Sequence, residues 1–200
     1  MKKSLIGLAL ACAALGASAD APRVRLFGSV GYGFGGDALV SGTWTDGTPW
    51  DLKAGKGTAV ALGGDLRLTG SLSIQGSAGY HRNSVDGTNG NVVFTRVPVE
   101  LLGFYAVTEQ VRLGLGARKS QSAKVKGGGV AASVSELYES SSGAVAEVQY
   151  LFNAPSKSER SPVFGAYLRY VRESFKAKNP SWDTQKRDGS HVAVGLVFYY

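Results

Sequence analysis

Few residues of this chain are equipped for covalent chemistry. Two histidines, His81 and His191, are the only imidazoles available as a general base. A hydrolase needs a nucleophile, a base and an orienting acid within reach of one another. Ser84 lies three residues after His81, and Ser190 directly precedes His191. Alternate residues of a strand face opposite sides, so each Ser would point away from its His. Two isolated histidines without a cysteine cluster make no metal site. Gly31-Tyr32-Gly33-Phe34-Gly35 lies within a strand rather than at a phosphate-binding turn. The sequence therefore predicts no catalytic residue, no metal and no cofactor, and the histidines are expected in a polar interior or at a rim.

A second set of ionisable residues recurs with order. Arg25, Asp65, Arg67, Arg96, Glu100, Arg112, Arg118, Glu147, Arg169 and Glu173 all occupy the face opposite an apolar stripe, together with Gln75, His81 and Gln149. In a soluble sandwich they would form a solvated face. In a narrow barrel they would meet inside, where the planar fork of Arg makes several charge-assisted hydrogen bonds at once. The expected chemistry is mutual pairing into a charged plug. Eight strands leave a lumen that side chains can fill.

The elements that position these groups are strands. Eight segments alternate with period two. They are Val24–Gly35, Gly57–Leu68, Leu72–Arg82, Val92–Phe104, a fifth starting at Gln110, a sixth ending at Phe152, Pro162–Ser174 and His191–Tyr200. Their connections alternate in length. Long ones span Gly36–Lys56, Asn83–Asn91, Lys119–Gly143 and Phe175–Gly189; short ones span Thr69–Ser71, Tyr105–Glu109 and Asn153–Ser161. Long loops at one end and short turns at the other are expected of a transmembrane barrel with an even strand count. A soluble sandwich has no reason to sort its loops this way.

Composition narrows the class further. Residues 1–19 read as a secretory signal peptide, with Lys2 and Lys3, an apolar Leu5–Leu15 and a cleavage site at Ala17-Ser18-Ala19. The barrel domain is then 20–200, and the one cysteine, Cys12, is removed with the leader. Without Lys2 and Lys3 the formal net charge falls from +7 to +5, with no dense basic run of the kind that binds nucleic acid. The apolar runs are too short for a spanning helix, so a membrane crossing must be made of strands.

The loops carry the remaining signals. Trp44, Trp50 and Trp182 fall in long connections and read either as an interfacial aromatic girdle or as a contact surface for a partner. Lys119, Lys124, Lys126, Lys176, Lys178, Lys186 and Arg187 are placed to meet the anionic groups of lipopolysaccharide or to be solvated surface charge. In the third long loop the alternation of Leu113, Leu115 and Ala117 continues in phase through Ala123 and Val125. Beyond Gly127-Gly128-Gly129, the even positions Val130, Ala132, Val134 and Tyr138 lead in phase to Ala144. The segment is either one long hairpin turning at the glycines or a disordered Gly/Ser-rich loop.

Two stretches carry a family resemblance. His191–Tyr200 (HVAVGLVFYY) has large apolar residues at every even position and ends on an aromatic. It resembles the terminal strand through which outer-membrane barrels engage the barrel-assembly machinery. Phe94–Lys119 holds Arg-x-Pro-x-Glu, a short turn, then Arg-Leu-Gly-x-Gly-x-Arg. It looks like the small eight-stranded outer-membrane proteins of the OmpX and opacity-protein kind. The resemblance implies an all-β, eight-stranded antiparallel up-and-down transmembrane barrel in a Gram-negative outer membrane. It implies a monomer surrounded by outer-membrane lipids and lipopolysaccharide, closed to through-flow, with a structural, adhesive or surface-interaction role and a host or surface ligand at its loops. Two other activities occur among such barrels: lipid A modification and a small channel. The lipid A deacylase of that group carries a lipid-facing His and Ser two residues apart, which neither His81 nor His191 reproduces.

Overall fold

A computed structural model describes residues 24–153 and 161–200. The predicted leader 1–19 and most of the third short turn lie outside the described residues. The strands are β1 (Val24–Gly35), β2 (Ala38–Thr43), β3 (Pro49–Lys53), β4 (Gly57–Arg67), β5 (Leu72–Gly87), β6 (Gly90–Ala106) and β7 (Val111–Gly129). They continue with β8 (Ser135–Ser140), β9 (Ser142–Leu151), β10 (Val163–Arg172), β11 (Ser174–Ala177), β12 (Lys186–Asp188) and β13 (His191–Tyr199).

Eight of these close a barrel. Going round the wall, β1 is followed by β4, β5, β6, β7, β9, β10 and β13, and β13 pairs back onto β1. Every pairing is antiparallel. Closure leaves the wall no exposed edge, the requirement for strands in lipid. Leu26 and Tyr200 exchange both backbone hydrogen bonds, 2.9 Å each, so the two ends of the described chain meet at the short-turn mouth.

The outer wall is apolar. Leu62, Leu115, Leu26 and Leu101 are 74, 71, 66 and 61% exposed, and Val, Leu and Phe side chains of all eight strands share that surface. A continuous apolar belt of this extent does not occur on a soluble monomer. Aromatics rim it: Tyr105, Phe152, Phe164 and Tyr200 towards the short turns, Phe34, Tyr80 and Tyr170 towards the long loops. This is the belt and girdle of a lipid-facing barrel. β13 has nine residues, within the ~9–11 that a tilted spanning strand needs.

The long connections are folded. β2 and β3 form a hairpin, and the β5–β6 hairpin runs on to the pair Gly87 and Gly90. β7 rises to Gly129, turns, and returns as β8; β11 pairs with β8, and β12 with β11. The third loop is thus a long hairpin that turns at the glycines, with Gly129 at φ 62°. These pieces enclose a core of their own, formed by Leu39, Leu52, Val92, Phe94, Ala123, Val125, Tyr138 and Phe175. Phe94 meets Phe175 edge-on at 5.5 Å and Tyr138 at 6.3 Å. The barrel therefore carries an ordered head.

The predicted phase is corrected at two points. Ala123 and Val125 do not share the face of Leu113 and Leu115. Both Gln121 and Ser122 are exposed, Ser122 has φ 50°, and the β6–β7 register shifts between Thr95 and Val97. An extra residue in one strand exchanges its two faces. Below this bulge the odd residues of β7 meet lipid; above it they enter the head. The returning chain changes face between Ser140 and Ser142: Tyr138 is buried, but Ala144 is exposed. Without the two switches, one apolar phase would leave lipid and enter water.

Candidate functional sites: the lumen network and the head

The lumen is lined by the inward phase of each strand. β6 contributes Arg96 and Glu100, β7 Arg112 and Arg118, β9 Glu147 and Gln149, β10 Arg169, and β5 Gln75 and His81. Glu173 sits between β10 and β11 and is buried. Three arginines and three glutamates alternate across the lumen. Arg169 pairs with Glu147 and, at 3.1 Å, with Glu100. Arg118 spans Glu100 at 2.9 Å and Glu173 at 3.3 Å. Arg96 pairs with Glu173 and donates to His81 Nδ1 at 3.2 Å. Ser120 adds a hydroxyl donor to Glu173 at 2.9 Å. Each acid thus faces at least one guanidinium, the arrangement that makes burial of charge tolerable.

Nearer the short turns the lumen changes character. Arg112 pairs with Asp65 at 2.7 Å and lies 4.5 Å from the Phe104 ring centroid. Tyr199 donates one hydroxyl proton, with Gln75 and Gln149 oxygens at 3.0 and 2.7 Å. Phe27, Leu151, Val163, Tyr167 and Val197 form an apolar cluster with Tyr199, and Leu102 packs with Phe104. Tyr167 occupies space over Gly31 and Gly195 that any Cβ at those positions would overlap. Sequence reasoning registered the charges and passed over this apolar filling. Its signal was present in the inward phase of β6, where Leu102 and Phe104 follow Glu100.

Not every predicted member joins the chain of pairs. Arg25 is buried and Arg67 half-buried at the short-turn mouth, and neither forms an ion pair among the described residues. The histidines lie at the opposite end. His81 Nε2 is 3.0 Å from the Lys56 carbonyl oxygen, and His191 Nδ1 is 2.8 Å from that of Gly189. Both are buried, with ring centroids 6.2 Å apart. Ser84 and Ser190 donate to Asp86 and Asp188. The His and Ser pairs are thus occupied in structural bonds.

Trp44 and Trp50 differ from both sequence readings. Trp44 is 6% exposed inside the head, stacked at 5.2 Å on the half-buried Trp50. Trp44 also lies against Gly87, where a Cβ would overlap its indole. Neither residue serves as girdle or open contact, because the β2–β3 hairpin folds them onto the β5–β6 tip. Trp182 alone of the three is exposed, at 37%, in the β11–β12 connection.

The head's polar groups are held locally. Asp183 accepts from the Gln185 backbone N–H at 2.8 Å and from Arg187 Nε at 2.8 Å, bonds that hold its carboxyl below the usual value. Arg187 is therefore engaged within the head. Asp46 is lowered likewise by the Thr48 N–H. Burial raises the Tyr138 phenol, whose hydroxyl reaches the Leu39 carbonyl at 3.4 Å. On the outer side of the head sheet, Lys126, Lys176, Lys178 and Lys186 are exposed and Lys124 is half-buried; Glu139 stands opposite Lys176. Lys119 is exposed just above the belt. Among the described residues no group of three or more His, Cys, Asp or Glu could hold a metal.

The chain matches no family model and no curated protein. Among solved structures it is similar to Ail, the attachment invasion locus protein of Yersinia pestis, solved with the heparin analogue sucrose octasulfate. Identity is 16%, the TM-score 0.48, and the alignment covers 89% of this chain and 99% of that one. It is also similar to the outer membrane protein OprG from Pseudomonas aeruginosa, at 14% identity and TM-score 0.43, covering 88% and 95%. The fold assignment stands on the chain's own strand pairing and lipid-facing belt: it is a closed, eight-stranded antiparallel barrel of the architecture found in small outer-membrane proteins of the OmpX kind.

Proposed function

We propose that this chain is an integral outer-membrane protein of a Gram-negative bacterium whose barrel is a closed mount and whose head makes contacts at the cell surface. The observation that supports this reading most is the ordered head with its own apolar core, seated on a lumen crossed by paired charges. Building a head outside the membrane serves contact rather than transport. The lysines on the head sheet suit anionic saccharide or lipopolysaccharide phosphate, which exposed cations attract over a Debye length. Cells displaying the protein should adhere to immobilised anionic polysaccharide, and a triple variant, Lys126→Glu, Lys176→Glu and Lys186→Glu, should adhere less. Equal adhesion by wild type, variant and cells without the protein would contradict the proposal.

The reading is also non-enzymatic. A lipid A-modifying enzyme would present its catalytic groups towards lipid, whereas His81 and His191 both point into the lumen. Lipid A from cells with and without the protein should show the same acylation pattern by mass spectrometry. A small channel is the other alternative. Planar bilayers should show no unitary currents, because paired charges cross the lumen and an apolar cluster fills it nearer the short turns.

A further inference from the structure

The lumen charges do not balance evenly along the barrel. Arg96, Arg118 and Arg169 are matched by Glu100, Glu147 and Glu173, and Arg112 by Asp65. Among the described residues, Arg25 and Arg67 are the two lumen guanidinium groups left over. Both line a cavity of about 540 Å³ at the short-turn mouth. Its other polar walls are Arg112, Asp65, Ser73 and the turn residues Thr69–Ser71 and Thr108–Glu109. Arg25 is 8% exposed, and its Nη2 has no hydrogen-bond partner among the described residues. The one acid deep in this cavity, Asp65, is already taken: it accepts from Arg112 at 2.7 Å and from Ser73 at 3.1 Å.

Arg25 stands opposite Asp65 in the β1–β4 register, but that single carboxylate is shared with Arg112. A buried guanidinium without an anion of its own is costly, because removing charge from water is tolerated only when a partner offsets it. Arg25 also stands beside Arg67, so each worsens the other's position unless an anion lies between them. We propose that this mouth is an oxyanion-binding vestibule, in which Arg25 and Arg67 take a phosphate group. The planar fork of Arg matches two phosphate oxygens at once. The cavity is larger than phosphate alone, so it has room for what the phosphate is attached to. A phospholipid headgroup and a soluble phosphate ester share that chemistry.

The full barrel, refolded in zwitterionic micelles with isotope-labelled arginine, would be titrated with inorganic phosphate at constant ionic strength. The Arg25 and Arg67 side-chain N–H resonances should shift saturably, while those of Arg96 and Arg169 stay fixed. Arg67→Gln, at the half-buried lip, should weaken the fitted Kd by about tenfold, roughly one charge-assisted hydrogen bond. Arg25→Gln should do so by as much or more. Heat-dependent gel mobility would confirm that each variant is folded. Repeating the titration in phosphatidylglycerol-containing bicelles separates the sources: a headgroup occupant shifts both resonances before phosphate is added, and a soluble ligand does not. Non-saturating shifts in every arm, shifts shared equally by all arginines, or an unchanged Kd in Arg67→Gln would overturn the proposal.

Discussion

The barrel wall and the head are built from the same strands with opposite insides. Below Ser122, β7 sends Leu113 and Leu115 outwards and Arg112 and Arg118 inwards; above it, Lys124 and Lys126 face out and Ala123 and Val125 face in. The surroundings dictate this inversion. Lipid outside the barrel leaves apolar side chains no gain from moving inwards, so the lumen can hold charges that satisfy one another. Water outside the head restores the usual hydrophobic driving force. Arg96 stands at the boundary, paired with Glu173 and 5.2 Å from the Phe175 ring centroid of the head core.

The inversion should break first at its switch. Deleting Ser122 removes the bulge and leaves both faces in place, whereas inserting one further residue beside Ser122 puts Lys124 and Lys126 inside and Ala123 and Val125 outside. Amides of β8, β11 and upper β7 should then lose hydrogen-exchange protection, while those of residues 111–118 keep theirs and heat-dependent gel mobility persists. Next in size is the lumen. Glu173→Ala leaves Arg96 and Arg118 short of a buried partner and should cost about 3–5 kcal/mol, measured by urea unfolding in micelles.

A matched pair of arginine substitutions sharpens the contrast. Leu115→Arg places a charge in mid-belt and should cost about 2–4 kcal/mol. Leu137→Arg, on an equally apolar but water-facing site of the head, should stay within ~0.5 kcal/mol. Equal costs would mean that both surfaces see the same solvent. The smallest effect is acid sensitivity at Asp183. Its folded value is depressed below 3.8, so its contribution is complete above 3.8 and fades as pH falls through the lowered value. Protection of the Gln185 amide should fall in that range, and Asp183→Asn should abolish the pH dependence.

The two regions also differed in how readable they were. The wall was legible because a lipid-facing strand needs unbroken period-two alternation: the segment Val24–Gly35 matches β1 end to end, and the next begins with β4 at Gly57. The head was largely hidden. Its strands are short, and the bulges at Ser122 and beyond Ser140 exchange faces without leaving a mark in composition. Trp44 and Trp50 looked like surface residues because Leu39 and Leu52, which help bury them, belong to short apolar stretches in a loop without a long alternating run. The polar lumen residues were legible as a face, but their pairing was not. Which acid reaches which arginine depends on register, and the surplus of Arg25 and Arg67 appears only once the other pairs are assigned.

The most direct measurement is a spin-label accessibility scan along β7. Cys12 lies ahead of the barrel, so single cysteines at positions 111–126 can be labelled in a Cys12→Ser background, with the protein in bilayers. Oxygen reports lipid and a water-soluble nickel chelate reports water. The expected result is oxygen access at 113, 115 and 117, little access to either at 112, 114 and 118, and nickel access at 124 and 126 but not at 123 and 125. Nickel access at 113 and 115, or an alternation that crosses Ser122 without changing phase, would contradict a lipid-facing barrel carrying an inverted head.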